Sequence, residues 1–141
     1  MKRKMLVPAV VTLLHAQGLY AASFEQVFNE QRALYGKGHE FSYGGKIHTT
    51  FHPEEIEAMA EPNAANARAL IDGAEALRVE SAAVGYEWRG PAIYIRQARE
   101  ALAAGRYQSA MELAARAKYL ARMSLKQYRN AEANWQRAVP E

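Results

Sequence analysis

His39, His48 and His52 fall within one short segment of the chain. They stand close enough along it to converge on a transition metal, for which neutral imidazole is the commonest nitrogen ligand. No carboxylate or thiolate stands beside them at a diagnostic spacing, so a polar hairpin face that includes histidine by chance is the competing reading. Glu54 and Glu55 form a carboxylate pair, but neighbouring residues on a helix point about 100° apart. Complementing the positive end of a helix is their simpler role. Met59, Met111 and Met123 carry thioethers that can ligate haem iron, yet methionine more often fills irregular gaps in a core.

Other chemistries are excluded by what the sequence omits. With no cysteine, a disulfide framework, thiolate zinc sites, iron–sulfur ligation and covalent c-type haem attachment are ruled out. There is no nucleophile elbow of the Gly-x-Ser-x-Gly kind, no Walker loop, no dinucleotide fingerprint and no His-Glu-x-x-His. The expectation is a protein with no cofactor and no catalytic residues. At 141 residues it has room for one domain with a modest core.

The net charge of +3 owes much to Lys2, Arg3 and Lys4. An apolar run from Met5 to Leu14 follows them, and then small residues around Ala21 and Ala22. This order of a basic, an apolar and a cleavable region is that of a secretory signal peptide. Cleavage is expected after Ala21. The apolar run is shorter than the about 20 residues a bilayer crossing needs, so an exported protein with no membrane insertion after cleavage is expected. Residues 22–141 then hold 15 bases and 15 acids, which removes the main support for nucleic-acid binding. That balance hides a polarity: residues 22–88 carry 5 bases and 11 acids, residues 89–137 carry 10 and 3. Either acidic and basic helices face one another, or a basic face awaits an acidic partner; charges that pair internally or are merely solvated are the simpler reading.

The elements that would position these residues divide at Pro62. In residues 22–62, Phe24, Val27, Phe28, Ala33 and Leu34 fit a short amphipathic helix to Tyr35, ended by Gly36 and Gly38. Gly44-Gly45 sits between two runs rich in aromatic and β-branched residues, which predicts a two-residue hairpin. Pro53, followed by Glu54, Glu55 and Glu57, starts a short helix to about Ala60.

From residue 63 to 141 the composition turns to alanine, leucine and arginine. Ala67, Leu70, Ala74, Leu77, Ser81, Val84 and Trp88 alternate spacings of three and four, which predicts one helix with a narrow buried face and Trp88 in the core. Gly90-Pro91 marks a joint. A second helix is expected over about residues 92–104, with Ile95, Ala98 and Leu102 inward, stopping at Gly105. A third should continue the same alternation through Tyr107, Ala110, Ala114, Ala117, Ala121, Ser124, Tyr128, Ala131 and Trp135, with Leu113 and Leu120 beside the seam. At about 30 residues it would measure roughly 45 Å. Because alanine buries little area per residue, Tyr107, Tyr128 and Trp135 are expected to anchor it. The predicted fold is mainly α: an alanine-rich antiparallel helical hairpin or three-helix bundle, with an N-terminal helix and a small β-hairpin as an extension.

On the third helix, Arg116, Tyr119, Arg122, Lys126 and Arg129 fall away from the seam and make one side basic. A tyrosine among arginines suits a docking surface as well as a solvated face. Trp88 and Arg89 at the joint complete the candidate partner-binding residues.

The stretch Gly85-Tyr86-Glu87-Trp88-Arg89, with Ile95-Arg96-Gln97-Ala98, Ala101, Gly105-Arg106-Tyr107, Ala110, Leu113-Ala114, Ala117 and Gln127, resembles the SoxXA-binding protein family of bacterial thiosulfate oxidation. The likeness covers about residues 75–135, and its discriminating part is the Gly-x-Glu-Trp-Arg run. It implies a small periplasmic helical protein that associates with the c-type cytochrome complex SoxXA, which couples thiosulfate oxidatively to the carrier SoxYZ. Such a protein is an accessory subunit without a cofactor. Two other readings remain open: a tetratricopeptide-like or alanine-rich envelope adaptor for another partner, and a small metal-binding protein using the hairpin histidines.

Overall fold

A computed structural model describes residues 22–138; the expected signal peptide and its cleavage site lie outside the described residues. In chain order the elements are α1 (Phe24–Tyr35), β1 (Glu40–Tyr43), β2 (Lys46–Thr49), α2 (Pro53–Glu57), α3 (Ala64–Ala83), α4 (Arg89–Ala103) and α5 (Tyr107–Ala138). The fold is mainly α with one small antiparallel hairpin, as the sequence predicts.

α3, α4 and α5 form an up-down-up bundle. The methylenes of Lys118 lie against Gly73 and Arg129 pairs with Glu80, so α3 and α5 run in the same direction. Arg116 lies over the Tyr94 ring while Leu120 meets Gly90, so α4 runs back between them. The core gathers Ala67, Leu70, Ile71 and Ala74 of α3, Ile95, Ala98 and Ala101 of α4, and Ala110, Met111, Ala114, Ala115 and Ala117 of α5. Along α5 the seam residues Ala110, Ala114, Ala117, Ala121 and Ser124 are fully buried. The expected alternation therefore does set the buried face.

Two expectations about the ends of these seams are corrected. α3 stops at Ala83 instead of running on to Trp88. Gly85 takes φ +75°, and the amides of Gly85 and Tyr86 return to the carbonyls of Ala82 and Ser81, 3.0 and 2.9 Å away. This left-handed closure satisfies the last carbonyls and turns the chain out of the seam. Trp88 becomes the residue before α4, 37% exposed, and does not enter the core. α4 accordingly begins at Arg89, earlier than expected, with Pro91 inside its first turn, where amides have no intrahelical partner to lose. At the far end of α5, Trp135 is 56% exposed and anchors nothing; Tyr128 meets Tyr86 edge-on, with ring centroids 5.2 Å apart. α5 outruns α3 because it has 32 residues to α3's 20, so nothing in α3 reaches Trp135.

The N-terminal unit has a small core of its own. Ser23 caps α1 in a reciprocal box with Gln26. Gly44 and Gly45 take φ +57° and +75°, the two positive values a tight hairpin turn requires. Register Phe41↔His48 puts both rings beside Phe24. Thr50 is fully buried: its hydroxyl donates to the Gly36 carbonyl and accepts from the His39 amide, at 2.7 and 2.8 Å. α2 ends at Glu57, short of Ala60.

The close seam makes a stability prediction. Ala117→Leu should lower unfolding stability by about 1–3 kcal/mol through overpacking, whereas Arg96→Leu on the exposed face of α4 should change it by less than about 0.5 kcal/mol. Melting followed by circular dichroism compares the two, and equal melting temperatures would refute a tight α5 seam.

Candidate functional site

The seven candidate residues separate into two places. Trp88 and Arg89 stand at the corner between α3 and α4, and with Glu87, Ala92 and Ile93 they line a shallow hollow of about 410 Å³. Ile93 is 44% exposed beside the half-open Trp88 ring. The corner is held in shape from both sides. The Trp88 indole N–H donates to Gln127 Oε1 of α5 at 3.1 Å. Arg78 of α3 binds Glu75, with Nη2 2.7 Å from Oε1, and also pairs with Glu87. Those two carboxylates push the Arg78 guanidinium above its already high range, so its charge is permanent here. The Trp88 indole, tied to Gln127, and the neighbouring Ile93 together expose apolar surface at this corner.

The other candidates, Arg116, Tyr119, Arg122, Lys126 and Arg129, do lie together on α5, but the molecule covers much of that face itself. Arg122 chelates Glu54 of α2: Nε reaches Oε1 at 2.5 Å and Nη2 reaches Oε2 at 3.0 Å. Lys126 pairs with Glu25 of α1, Lys118 with Glu57 of α2, and Arg129 with Glu80 of α3 at 3.7 Å. Tyr119 stacks on His52, with centroids 4.4 Å apart. Arg116 remains exposed, its guanidinium 4.9 Å from the Tyr94 ring centre. Arg99, Lys118, Arg122, Lys126 and Arg129, five of the ten bases in residues 89–137, meet acids of residues 22–88, so the charge polarity of the sequence is paired in part within the molecule.

Glu54 and Glu55 do more than complement a helix end. Glu54 is only 2% exposed. Burial pushes its carboxyl up, and the hydrogen bonds and charge of Arg122 more than reverse this, so it stays ionised below the ordinary range. Glu55 follows the same logic with Arg32, whose Nη2 and Nη1 reach its two oxygens at 2.8 and 2.9 Å. Arg32 also donates to the Thr50 carbonyl, tying α1, the hairpin and α2 together. Periodicity gives no sign of Arg32 or Thr50, because both work through contacts between elements distant along the chain.

The three histidines do not converge. His39 stacks on Tyr35, His48 packs on Phe24 and Phe41, and His52 lies between Phe28 and Tyr119. Among the described residues, no group of three histidine or acidic side chains is placed to hold a metal ion. Of the methionines, Met111 fills the core as expected, while Met59 is more than half exposed. Met59 instead edges an open groove of about 720 Å³ between the N-terminal unit and α5, lined also by Arg32, His52, Glu61, Arg116 and Tyr119. No described helix is long and apolar enough to cross a membrane. Comparison with family models, curated proteins and solved structures gives no match.

Two predictions follow from the clamps. Arg122→Ala should cost about 1–3 kcal/mol, because it leaves a buried carboxylate unpaired. Adding Glu54→Ala should return part of that loss; a double variant no more stable than Arg122→Ala alone would show that the pair is uncoupled. Acidification should act in two stages. Burial and the neighbouring Arg32 hold the His52 imidazole below its ordinary 6.5, so the unfolded chain takes up that proton first and stability falls as pH drops below that value. Glu54 and Glu55 sit below their ordinary 4.5, so their contribution is whole above that pH and is lost as pH falls through and beneath it. Melting temperatures between pH 8 and 3 test this, and His52→Gln should abolish the first decline alone.

Proposed function

We propose that this chain is an exported, non-catalytic helical accessory protein that docks on the SoxXA c-type cytochrome complex and supports thiosulfate oxidation. One observation carries the reading. The run Gly85-Tyr86-Glu87-Trp88-Arg89, which bears the likeness to SoxXA-binding proteins, forms the α3–α4 corner, with Trp88 and Arg89 turned outward beside Ile93. Tryptophan and arginine are the residues that most often dominate binding energy at protein interfaces. Here the indole N–H is already bonded to Gln127, which reduces the side-chain freedom left to lose on docking. Export rests on residues 1–21, whose basic, apolar and small-residue order supports passage to the periplasm.

Affinity capture from a periplasmic extract of the source organism tests the proposal. Haem-stained cytochrome subunits should copurify with the intact protein. Trp88→Ala should weaken that capture at least about tenfold, since truncating a dominant interface tryptophan costs about 2 kcal/mol or more. A circular dichroism melt within a few degrees of the parent separates lost binding from lost fold. Capture of a different envelope protein, with no haem protein present, would overturn the cytochrome assignment in favour of an adaptor.

A further inference from the structure

The N-terminal unit is attached to the bundle in an unusual way. Its aromatic residues spend themselves on one another: Phe24 packs on Phe28, Phe41, Tyr43 and His48. α1 has no buried residue, and from the whole unit Ala58 alone joins the main core cluster. Apart from Ala58 and one ring contact, what joins it to α5 is charge. Lys118, Arg122 and Lys126 lie four residues apart on one face of α5 and meet Glu57, Glu54 and Glu25 respectively. Arg129 continues the row on the edge toward α3. Among the described residues, the one aromatic contact across this junction is His52 on Tyr119. Exposed ion pairs hold weakly and are screened by salt. Only the Glu54–Arg122 pair has a buried partner.

We propose that residues 24–60 are a releasable cover, and that the cation row beneath is a docking surface for an acidic protein segment. The cover itself shows the chemistry required. It satisfies Lys118, Arg122 and Lys126 with three glutamates, so a segment presenting carboxylates along a helix face can replace it cation for cation. Exchange of one set of ion pairs for another leaves no buried charge unpaired. The surface differs from the Trp88 corner, and the inference stands or falls independently of the cytochrome reading.

The chain lacks cysteine, so Ile47→Cys and Glu132→Cys, both at exposed positions, accept a spin label each without interference. In low salt the pair should give one narrow distance distribution. In 1 M salt, and in Glu25→Gln/Glu54→Gln/Glu57→Gln at low salt, a second and longer population should appear while the helical signal is retained. Should the triple variant fail to fold, Glu25→Gln/Glu57→Gln, which alters exposed pairs only, reports the same shift. A short poly-glutamate peptide should bind the variant that keeps its helical signal at least tenfold more tightly than the parent, and the gain should vanish in high salt. An unchanged distance distribution in both salt and variant overturns the cover. A variant that opens without gaining affinity for poly-glutamate, or gains it for a single-stranded oligonucleotide instead, overturns the acidic-protein docking surface.

Discussion

The rest of the molecule depends on how closely α5 lets its neighbours approach. Along its buried seam stand Ala110, Ala114, Ala117, Ala121 and Ser124, and at those positions α5 puts nothing larger than a methyl or hydroxymethyl group between its backbone and its neighbours. Alanine also loses least on entering a helix, which helps a 32-residue rod to form with few large apolar side chains. The two buried serines on α3 and α5 fit the same scheme. Ser81 Oγ donates to the Arg78 carbonyl at 2.8 Å and Ser124 Oγ to the Ala121 carbonyl at 2.7 Å. Each hydroxyl is satisfied within its own helix and asks nothing of its neighbour. Bulk enters at Leu70, Ile71, Ile95, Met111 and Leu125, with Tyr94, Leu102 and Leu113 partly buried against them.

A seam this lean stabilises the bundle but leaves little apolar surface for anything else to grip. The N-terminal unit is therefore held by a different kind of force. Two arginines organise it, and each is chosen by geometry: a planar guanidinium can meet both oxygens of a carboxylate at once, which an ammonium cannot. Arg32 closes the unit on itself through Glu55 and the Thr50 carbonyl. Arg122 fastens the closed unit to α5 through Glu54. Because the Glu54 carboxylate is buried and Arg122 is partly open to water, solvent reaches the pair from the arginine side, and that side is where a competing carboxylate would enter.

The sequence discloses the interior better than the surface, for a physical reason. Burial imposes a period on a helix, so the seam residues Ala67, Leu70, Ala74, Ala110 and Ala117 can be read directly from spacing. A turn that needs two positive φ values admits few residues, so Gly44-Gly45 announces the hairpin. The errors arise where a local signal overrides the period. Trp88 keeps step with the α3 seam, but Gly85 ends the helix first and sends the tryptophan to the surface. Trp135 keeps step with α5, but α3 ends too early to meet it and the ring stays exposed. The cationic face was legible as a set of residues on one side of α5; its cover was not, because the partners Glu25, Glu54 and Glu57 lie on elements whose docking leaves no periodic trace. The polarity between the acidic and basic parts of the chain was the available clue, and it pointed to internal pairing.

That pairing changes what the charges do at a distance. Opposite charges brought within a few ångströms cancel beyond the screening length of about 8–10 Å at physiological salt, so the folded molecule projects a weaker field than its sequence halves would separately. At the Trp88 corner, apolar at Ile93 and with Glu87 already neutralised by Arg78, the proposed docking would rest chiefly on removing hydrocarbon from water, an interaction that salt does not weaken. An uncovered cation row behaves in the opposite way, because both its release and its occupation depend on charge. Ionic strength would therefore separate the two proposed surfaces: contacts at the corner would persist as salt is raised, while contacts on α5 would first gain access as the cover loosens and then lose affinity as screening sets in.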